Sequence, residues 1–490
     1  MKLCVAIAVL AALAPVSEAA AGTPEVEKLV AALLGSTPLE EDLRVLTDEI
    51  GGRMTGSEAN RRSVGWALER FREAGVDARA EAFTMPELWL ERSTRVAIEG
   101  DVGYSARAVA MPFTPPTPPG GRVAPLLDGG SGSDADFARL GSRARGAFVL
   151  VETPELTNIE GLFREYADAT AIDTRALAGG AAGVVVMASR PRDVLYRHLP
   201  SAGLDNTLTQ LILERKAAER ALRLLRAGRQ LALRAEVDAE TGGPYESHNV
   251  VGEIRGSERP DEIVLVGAHL DSWDLGTGAL DNGCNVAMLI DLARQVRRLG
   301  LTPRRTIRFA LWNGEEQGML GSWGYVKTHA DELDRHVMAA SFDLGSGRIT
   351  GFFTNGRTEL VAAVDRALEP VSGLGPFAQV NEPIVGTDNY DFMLEGVANL
   401  VANQESANYG PNYHARSDTF DEVDLPQLRA NAAVAAALTW AFANDEVTWC
   451  RQDRAEVEAL VEATSLKEQM QAMDFGLWGQ WTSGERGRRP

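Results

Sequence analysis

The sequence predicts an α/β fold, in which a mainly parallel mixed sheet carries helices on both faces. From His248 onwards, apolar strand-like runs alternate with amphipathic helical stretches. The expected strands are residues 263–267, 306–312 and 337–342, and the expected helices are residues 286–299 and 322–328. Parallel strands need crossover connections, and this order supplies a helix between each pair. Of the 490 residues, 45% are hydrophobic and 24% are charged, which is typical of globular proteins and excludes disordered, collagen-like or coiled-coil chains.

A smaller unit is expected to interrupt the main fold. Residues 25–80 have a helical pattern, whereas residues 114–135 are rich in Pro and Gly, as linkers and turns are. Further strand and helix patterns then follow as far as Thr241. We therefore expect five segments, which are a leader at 1–20, the N-terminal part of the main domain at 21–119, an inserted domain at 120–245, the main domain at 246–445 with a covering helix at 425–443, and a tail at 446–490.

The first twenty residues have the pattern of a signal peptide. Lys2 precedes an apolar run over residues 3–14, and small residues follow at the exit. The run is shorter than the roughly 20 residues that a transmembrane helix needs. The sequence therefore predicts a secreted or periplasmic protein with no stable membrane insertion.

Charge and cysteine content restrict the class of partner and of metal site. The formal net charge of -20 argues against binding nucleic acid or an anionic membrane, so a small molecule or a peptide is the expected partner. Beyond the leader only Cys284 and Cys450 are present, which excludes a disulfide scaffold and a zinc site built from paired cysteines. A Cys284–Cys450 bridge is the one pairing available, and it is disfavoured because Cys284 lies in a candidate metal loop.

Metal-binding residue types follow the expected strands at the point where each strand ends. In open α/β sheets, ligands bind at the carboxyl ends of the strands. Any single polar residue there has an ordinary explanation as part of a loop, whereas their accumulation predicts a site. The candidates are His269, Asp271, Asp281, Glu315, Glu316, Asp343, His414 and Asp418.

The charges of these candidates suit two zinc ions. Two Zn²⁺ bring +4, Asp281, Glu316 and Asp343 bring -3, and a bridging hydroxide brings the sum to zero. Histidine and carboxylate are ligands that zinc accepts, and zinc lowers the pKa of bound water to about 7. Glu315 is then free to act as general base, because adjacent residues point in different directions.

The sequence resembles the M28 zinc peptidases and, within them, the carboxypeptidase Q-like branch. The matching stretches are GAHLDSWDLGTGALDNG from Gly267, IRFALWNGEEQG from Ile307, GTD from Gly386 and YHARSDT from Tyr413. GRMTGS from Gly52 also resembles the start of this fold. Residues 120–245 resemble the protease-associated (PA) domain that the branch carries as an insertion.

The resemblance implies a role for each candidate. His269 and Asp343 would bind one metal, Glu316 and His414 would bind the other, and Asp281 would bridge both, with a cis peptide bond after it. Glu315 would be the catalytic base, and Asp271 would orient His269. Asp418 would support the loop of His414. Asn282 and Cys284 depart from the residues usual in the family, and neither change removes a ligand. The family also suggests a homodimer.

These observations predict an exported two-zinc exopeptidase that hydrolyses short peptides or dipeptides with a metal-bridging hydroxide. Two alternatives stay open, a single-zinc acyl-transfer enzyme similar to glutaminyl cyclase and a non-catalytic binding module on the same scaffold. The sequence has neither a Gly-x-Ser-x-Gly nor a His-Glu-x-x-His motif, which argues against serine hydrolases and single-zinc proteases of those types. It leaves open the choice between aminopeptidase, dipeptidase and carboxypeptidase, and the role of residues 446–490.

Overall fold

The computed structural model describes residues 24–157, 159–197, 206–473 and 475–489. The expected signal peptide lies outside these residues. Within them, no helix has both the length and the apolar character needed to cross a membrane.

The described residues form fifteen strands and fifteen α-helices. In chain order the strands are β1 (Asp77–Met85), β2 (Leu88–Gly100), β3 (Tyr104–Ala106), β4 (Ala108–Ala110), β5 (Arg122–Asp128), β6 (Phe148–Val151), β7 (Gly183–Met187), β8 (Thr209–Leu213), β9 (Leu231–Gly242), β10 (Tyr245–Ile254), β11 (Arg259–His269), β12 (Arg305–Trp312), β13 (His336–Ser341), β14 (Ile349–Phe353) and β15 (Asn399–Gln404). The helices are α1 (Pro24–Leu34), α2 (Leu39–Arg44), α3 (Glu58–Glu73), α4 (Asp134–Leu140), α5 (Ile159–Gly179), α6 (Arg215–Arg226), α7 (Cys284–Arg298), α8 (Leu320–Thr328), α9 (Thr358–Leu368), α10 (Asn389–Leu394), α11 (Tyr409–Asn412), α12 (Leu425–Asn444), α13 (Arg454–Ala463), α14 (Leu466–Ala472) and α15 (Leu477–Thr482).

The main sheet has seven strands in the order β1-β10-β12-β11-β13-β15-β14. Its four central strands, β12, β11, β13 and β15, are parallel, and the strands on both sides of them are antiparallel. Side chains of β11 alternate between two cores. Val264 and Val266 share a core with α7 and α12, whereas Ile263 and Leu265 share one with Tyr325 of α8 and residues of α10. The predicted α/β class, with helices on both faces of a mixed sheet, is confirmed.

A second sheet of eight strands has the order β3-β2-β9-β5-β6-β7-β8-β4. It begins at Leu88, before the expected start of the inserted unit at residue 120, because β2 pairs with β9 from Leu88 to Gly100. The expected linker at 114–135 also contains a strand, β5, which pairs with β6 and β9. Its pairing with β9 joins residues about 110 positions apart, so the local Pro and Gly content gives no sign of the strand.

The C-terminal tail, which carries no functional signal in its sequence, is folded and packed. Helices α13, α14 and α15 bury Val457, Leu466 and Trp481 against Tyr390 and Leu394 of α10. The segment is therefore part of the same structure as the main sheet.

The two cysteines outside the leader are both free. Cys284 is buried at the start of α7, and Cys450 is exposed. The Cys284–Cys450 bridge, which the sequence disfavoured, is absent.

Candidate metal centre

The candidate residues lie together at the carboxyl edge of the parallel strands. His269 ends β11, Glu315 and Glu316 follow β12, and Asp343 follows β13. Because the three strands are parallel, their ends meet at one edge of the sheet. His414 arrives from the loop after α11.

The first donor group consists of His269, Asp281 and Asp343, which are all buried. Nε2 of His269 lies 3.1 Å from Oδ1 of Asp281 and 2.9 Å from Oδ1 of Asp343. Nδ1 of His269 lies 3.1 Å from the backbone carbonyl oxygen of Asp271, to which it can donate its proton. In that tautomer the lone pair of Nε2 points towards two carboxylates, an arrangement that a cation between them stabilises.

The second donor group consists of Asp281, Glu316 and His414 and is also buried. Nε2 of His414 lies 3.0 Å from Oε2 of Glu316 and 3.5 Å from Oδ2 of Asp281. Oδ2 of Asp281 and Oε1 of Glu316 have no hydrogen-bond partner among the residues that the structure describes. Buried oxygens without partners are costly unless a metal or water satisfies them, so the donor set fits two cations that share Asp281.

Burial shifts the titration of these groups away from their ordinary values. Burial, together with repulsion by neighbouring carboxylates, raises the pKa of Glu316 and Glu315 well above the usual range, and raises that of Asp343. Burial lowers the pKa of His414 to about 3, which keeps its imidazole neutral. Burial also disfavours the charged form of His269, but the neighbouring carboxylates of Asp343 and Glu315 outweigh it and raise the pKa of His269 well above its ordinary value. Concentrated negative charge is what a bound cation would neutralise.

Glu315 differs from its neighbour Glu316 in its surroundings. It is only partly buried and belongs to neither donor group, and it lines a cavity together with Asp281 and Asp343. Its backbone carbonyl accepts hydrogen bonds from the amides of Gly318 and Met319, so a tight turn follows it. The structure therefore places the Glu315 carboxyl group beside the metal donors with access to the cavity.

The carboxylate of Asp271 contacts His269 less directly than the resemblance implies. Oδ1 of Asp271 lies 3.7 Å from Nδ1 of His269, farther than the backbone carbonyl of the same residue. Oδ2 of Asp271 accepts hydrogen bonds from the hydroxyl of Thr55 at 3.0 Å and from the amide of Glu316 at 3.4 Å. Asp271 thus joins the ends of β11 and β12 through its side chain and contacts the His269 ring through its backbone.

Asp418 contacts a different loop from the one that the sequence suggested. Its carboxylate accepts hydrogen bonds from the backbone amides of Ala279, Leu280 and Asp281, at 3.0, 2.6 and 3.1 Å. It therefore fixes the loop that carries Asp281, and not primarily the loop of His414. The peptide bond between Asp281 and Asn282 is cis, as the resemblance implies.

Arg53 supports the site, although the sequence analysis assigned it no role. It is fully buried, and its guanidinium donates to the backbone carbonyls of Leu270, Thr277 and Gly278 at 2.8, 2.7 and 2.9 Å. Arg53 thus binds the carbonyls of this loop, and Asp418 binds its amides. The signal in the sequence was the GRMTGS stretch, but no pattern indicates which carbonyls an arginine will reach.

The second sheet contributes to the loop of His414. The Tyr413 ring stacks on the imidazole of His414, with ring centroids 3.6 Å apart. The Tyr413 hydroxyl lies 3.0 Å from the hydroxyl of Tyr166 on α5. The backbone carbonyl of Tyr413 accepts a hydrogen bond from Nε of Arg190 at 3.2 Å. The amide of Arg197 donates to the carbonyl of His414 at 2.9 Å. His414 has a φ of 56°, an unusual backbone conformation that these contacts support.

A small cavity of about 80 Å³ adjoins the metal donors. Besides the strand ends and loops that carry the metal-donor candidates, α5, the loop before α10 and the C-terminal tail contribute to its lining. Apart from Glu315 and the metal donors its lining is mostly apolar or aromatic, with Leu162, Tyr166, Leu344, Ile384, Val385, Val401, Tyr409, Tyr413 and Met473.

Comparison with known proteins agrees with this geometry. Residues 249–439 match Peptidase family M28. Carboxypeptidase Q of Mus musculus is 27% identical over 82% of this chain and 85% of its own length. The crystal structure of a peptidase M28 precursor from Shewanella amazonensis SB2B is 26% identical, covers 86% of this chain and 97% of its own, and superposes with a TM-score of 0.78. BSAP, a zinc aminopeptidase from Bacillus subtilis, shares the fold at 20% identity and a TM-score of 0.65, over 83% of this chain and 95% of its own.

The family assignment therefore rests on sequence and on structure together. The matched residues include every metal-donor candidate and Glu315, and the similarity to carboxypeptidase Q extends over most of the chain. The chain is a metallopeptidase whose residues 249–439 match peptidase family M28 and which resembles carboxypeptidase Q over most of its length.

Proposed function

We propose that the chain is an exported exopeptidase that binds two zinc ions and hydrolyses short peptides. The observation that carries the proposal is the pair of buried donor groups that share Asp281. His269 and Asp343 would complete one zinc site, and Glu316 and His414 would complete the other. Export rests on the leader-like first twenty residues of the sequence.

The donor chemistry supports zinc as the metal. Each group offers one imidazole nitrogen and carboxylate oxygens, a ligand set that zinc accepts readily. Similarity to BSAP, which is described as a zinc aminopeptidase, agrees with this choice. When bound, zinc lowers the pKa of a water molecule and polarises a substrate carbonyl.

The chain's own residues handle the proton. Glu315 accepts a proton from the attacking water as its oxygen bonds to the peptide carbonyl carbon. Glu315 then donates that proton to the leaving nitrogen as the carbon–nitrogen bond breaks. Burial raises the pKa of the Glu315 carboxyl group, which favours its taking up a proton in the first step and holding it for the second.

The cavity supports a short substrate. Its volume of about 80 Å³ suits a single side chain, and α5 and the tail close it on two sides. We propose that the side chain next to the cleaved bond occupies this cavity. An extended protein chain has little room to pass through such a site, which favours an exopeptidase.

The variant Glu315→Gln tests the proposal. It keeps the size of the side chain but removes the base, so it should bind zinc normally while kcat for a free dipeptide falls by about 1000-fold. Zinc content is measured by elemental analysis, and kcat on the zinc-loaded protein. Glu246→Gln, which changes an exposed glutamate on β10, is the matched control and should retain full activity. Undiminished kcat in Glu315→Gln with zinc bound would contradict the assigned base.

A further inference from the structure

The C-terminal tail places one fully buried arginine beside the active site. Arg486 and its partner Asp391 on α10 are each 1% exposed. Nε of Arg486 donates to Oδ1 of Asp391 at 2.7 Å, and Nη2 donates to Oδ2 at 2.8 Å. Such a bidentate pair fixes both partners in orientation as well as in distance.

The same guanidinium also holds the turn that follows the two glutamates. Nη1 of Arg486 donates to the carbonyl of Gly318 at 3.2 Å, and Nη2 donates to the carbonyl of Met319 at 3.2 Å. The amides of these two residues in turn donate to the carbonyl of Glu315, at 2.8 and 2.9 Å. The peptide group between Gly318 and Met319 therefore links the guanidinium of Arg486 to the backbone carbonyl of Glu315.

The turn needs support of this kind because its backbone is strained. Met319 has a φ of 60°, in the left-handed region that non-glycine residues seldom adopt. Phe475 of the tail also packs against Gly318, where a Cβ atom would meet its ring at 3.0 Å. The tail thus covers the turn with an aromatic ring and binds its carbonyls with a cation.

The tail also holds a second part of the cavity lining. The side-chain carbonyl of Gln469 accepts from the amide of Val385 at 3.0 Å, and the side-chain amide of Gln469 donates to the carbonyl of Pro383 at 2.9 Å. Val385 and Met473 both line the cavity, as Glu315 does. The tail therefore contacts both the turn after the two glutamates and the segment that carries Val385.

We infer that Arg486 is a positioning residue that fixes Glu315 and Glu316 relative to the other metal donors. The inference rests on the proposed function, in which Glu315 is the base and Glu316 a zinc ligand. Loss of Arg486 should displace both glutamates, which lowers kcat and weakens zinc binding at the Glu316 site. A displacement of about 1 Å at a catalytic group can cost about 100-fold in rate.

Three variants of the full-length protein test the inference. The first is the double variant Arg486→Met/Asp391→Leu, which removes the ion pair as a whole. Arg486→Met alone would leave the buried Asp391 without its partner and would endanger folding. Arg486→Lys keeps the charge and part of the donor set. Arg454→Met is the matched control, because Arg454 packs on Trp481 and its hydrogen bonds, to Glu458 and the Arg488 carbonyl, stay within the tail.

The readouts are kcat and KM for a free dipeptide at saturating zinc, and the affinity of each zinc by chelator competition. The double variant should lose about 100-fold in kcat with little change in KM. One of its two zinc ions should bind about 10-fold more weakly. Arg486→Lys should recover at least part of kcat, and Arg454→Met should resemble the wild type.

Two results would overturn the inference. One is full kcat in a folded and zinc-loaded double variant. The other is a loss of kcat in Arg454→Met as large as that in the double variant. A wild-type protein that binds zinc and cleaves no dipeptide would be a failure of the proposed function itself, and the role of Arg486 would fall with it.

Discussion

Glu315 and Glu316 are neighbours in sequence but meet different surroundings. Glu316 is 5% exposed and lies 3.0 Å from the imidazole of His414, whereas Glu315 is partly exposed at the cavity. Burial raises the pKa of both carboxyl groups. One of the two is therefore suited to bind a cation, and the other to exchange a proton with the substrate.

The raised pKa values predict how stability depends on pH. The ordinary pKa of glutamate is 4.5. A carboxyl group whose pKa is higher than this in the folded state contributes its full stabilisation below the ordinary pKa. It loses that contribution as the pH rises through the folded-state pKa. Glu315, Glu316 and Asp343 have this sign. Asp281 has the opposite sign, because the hydrogen bond and charge of His269 outweigh its burial and lower its pKa. The metal-free protein should therefore lose stability as the pH rises above the ordinary carboxyl pKa of about 4.5.

Zinc should remove this loss, because cations replace the protons. The melting temperature of the zinc-loaded protein minus that of the metal-free protein should increase from pH 5 to pH 8, as measured by calorimetry in the presence of zinc or of chelator. Glu316→Gln, which has one ionisable group fewer, should show a smaller increase. A difference that is constant over this range would argue against a buried, cation-binding carboxylate cluster.

Residue types and strand ends were sufficient to predict which side chains come together in the two donor groups, but not the residues that support them. His269, Glu316 and Asp343 follow parallel strands, and the topology alone brings such positions together. Arg53 acts through backbone carbonyls more than 200 residues later in the chain. Backbone carbonyls have no sequence signature, so such a contact becomes visible only in three dimensions.

At the scale of elements, the loop between β11 and α7 is the part of the fold that supports the centre most directly. Arg53 binds its carbonyls, and Asp418 binds its amides. This loop delivers Asp281, the residue that both donor groups share. A loop fixed through both its donors and its acceptors is preorganised to hold a metal.

Asp418→Asn tests this support. The amide keeps one acceptor oxygen but loses the charge and the second oxygen, so at least one backbone amide of the loop loses its partner. We expect zinc affinity to fall by about 10- to 100-fold, as measured by chelator competition. Asp421→Asn, in the same region but exposed, should leave affinity unchanged. Equal affinities in the two variants would show that the carboxylate does not hold the metal loop.

Elements with strong local periodicity were predicted well, and elements that depend on distant partners were not. The expected helix at 286–299 is α7, Cys284–Arg298, and the expected strand at 306–312 is β12, Arg305–Trp312. The strand β5 lies inside an expected linker, because its stability comes from pairing with β9, about 110 residues later. Strand pairing over such a distance leaves no local pattern to detect.

At the scale of the whole molecule, three separate segments complete one site. The main sheet supplies the metal donors, α5 supplies Leu162 and Tyr166 to the cavity, and the tail supplies Met473. Arg190 and the amide of Arg197, which follow β7 of the second sheet, hold the loop of His414. The unit that contains the second sheet therefore contributes residues to the candidate site.

Leu162→Glu tests the contribution of α5 to substrate selection. A carboxylate in the cavity should lower kcat/KM about 10-fold for dipeptides with apolar side chains and favour those with lysine side chains. Leu177→Glu places the same charge on an exposed site of the same helix, where Leu177 is 42% exposed, and should change neither value. An unchanged preference in a folded Leu162→Glu protein would mean that this cavity does not receive the substrate side chain.

The most direct test of the central claim is a zinc titration of the metal-stripped protein, followed by cleavage of a free dipeptide. Two zinc ions per chain should bind, and full activity should require both. Parallel assays with N-acetylated and C-amidated dipeptides show which end of the substrate is recognised. Cleavage of the free and amidated forms identifies an aminopeptidase, and cleavage of the free form alone identifies a dipeptidase. Cleavage of the acetylated form identifies a carboxypeptidase. Full activity with one zinc, or two bound zinc ions with no cleavage of any form, would contradict the account and favour an acyl-transfer enzyme or a binding module.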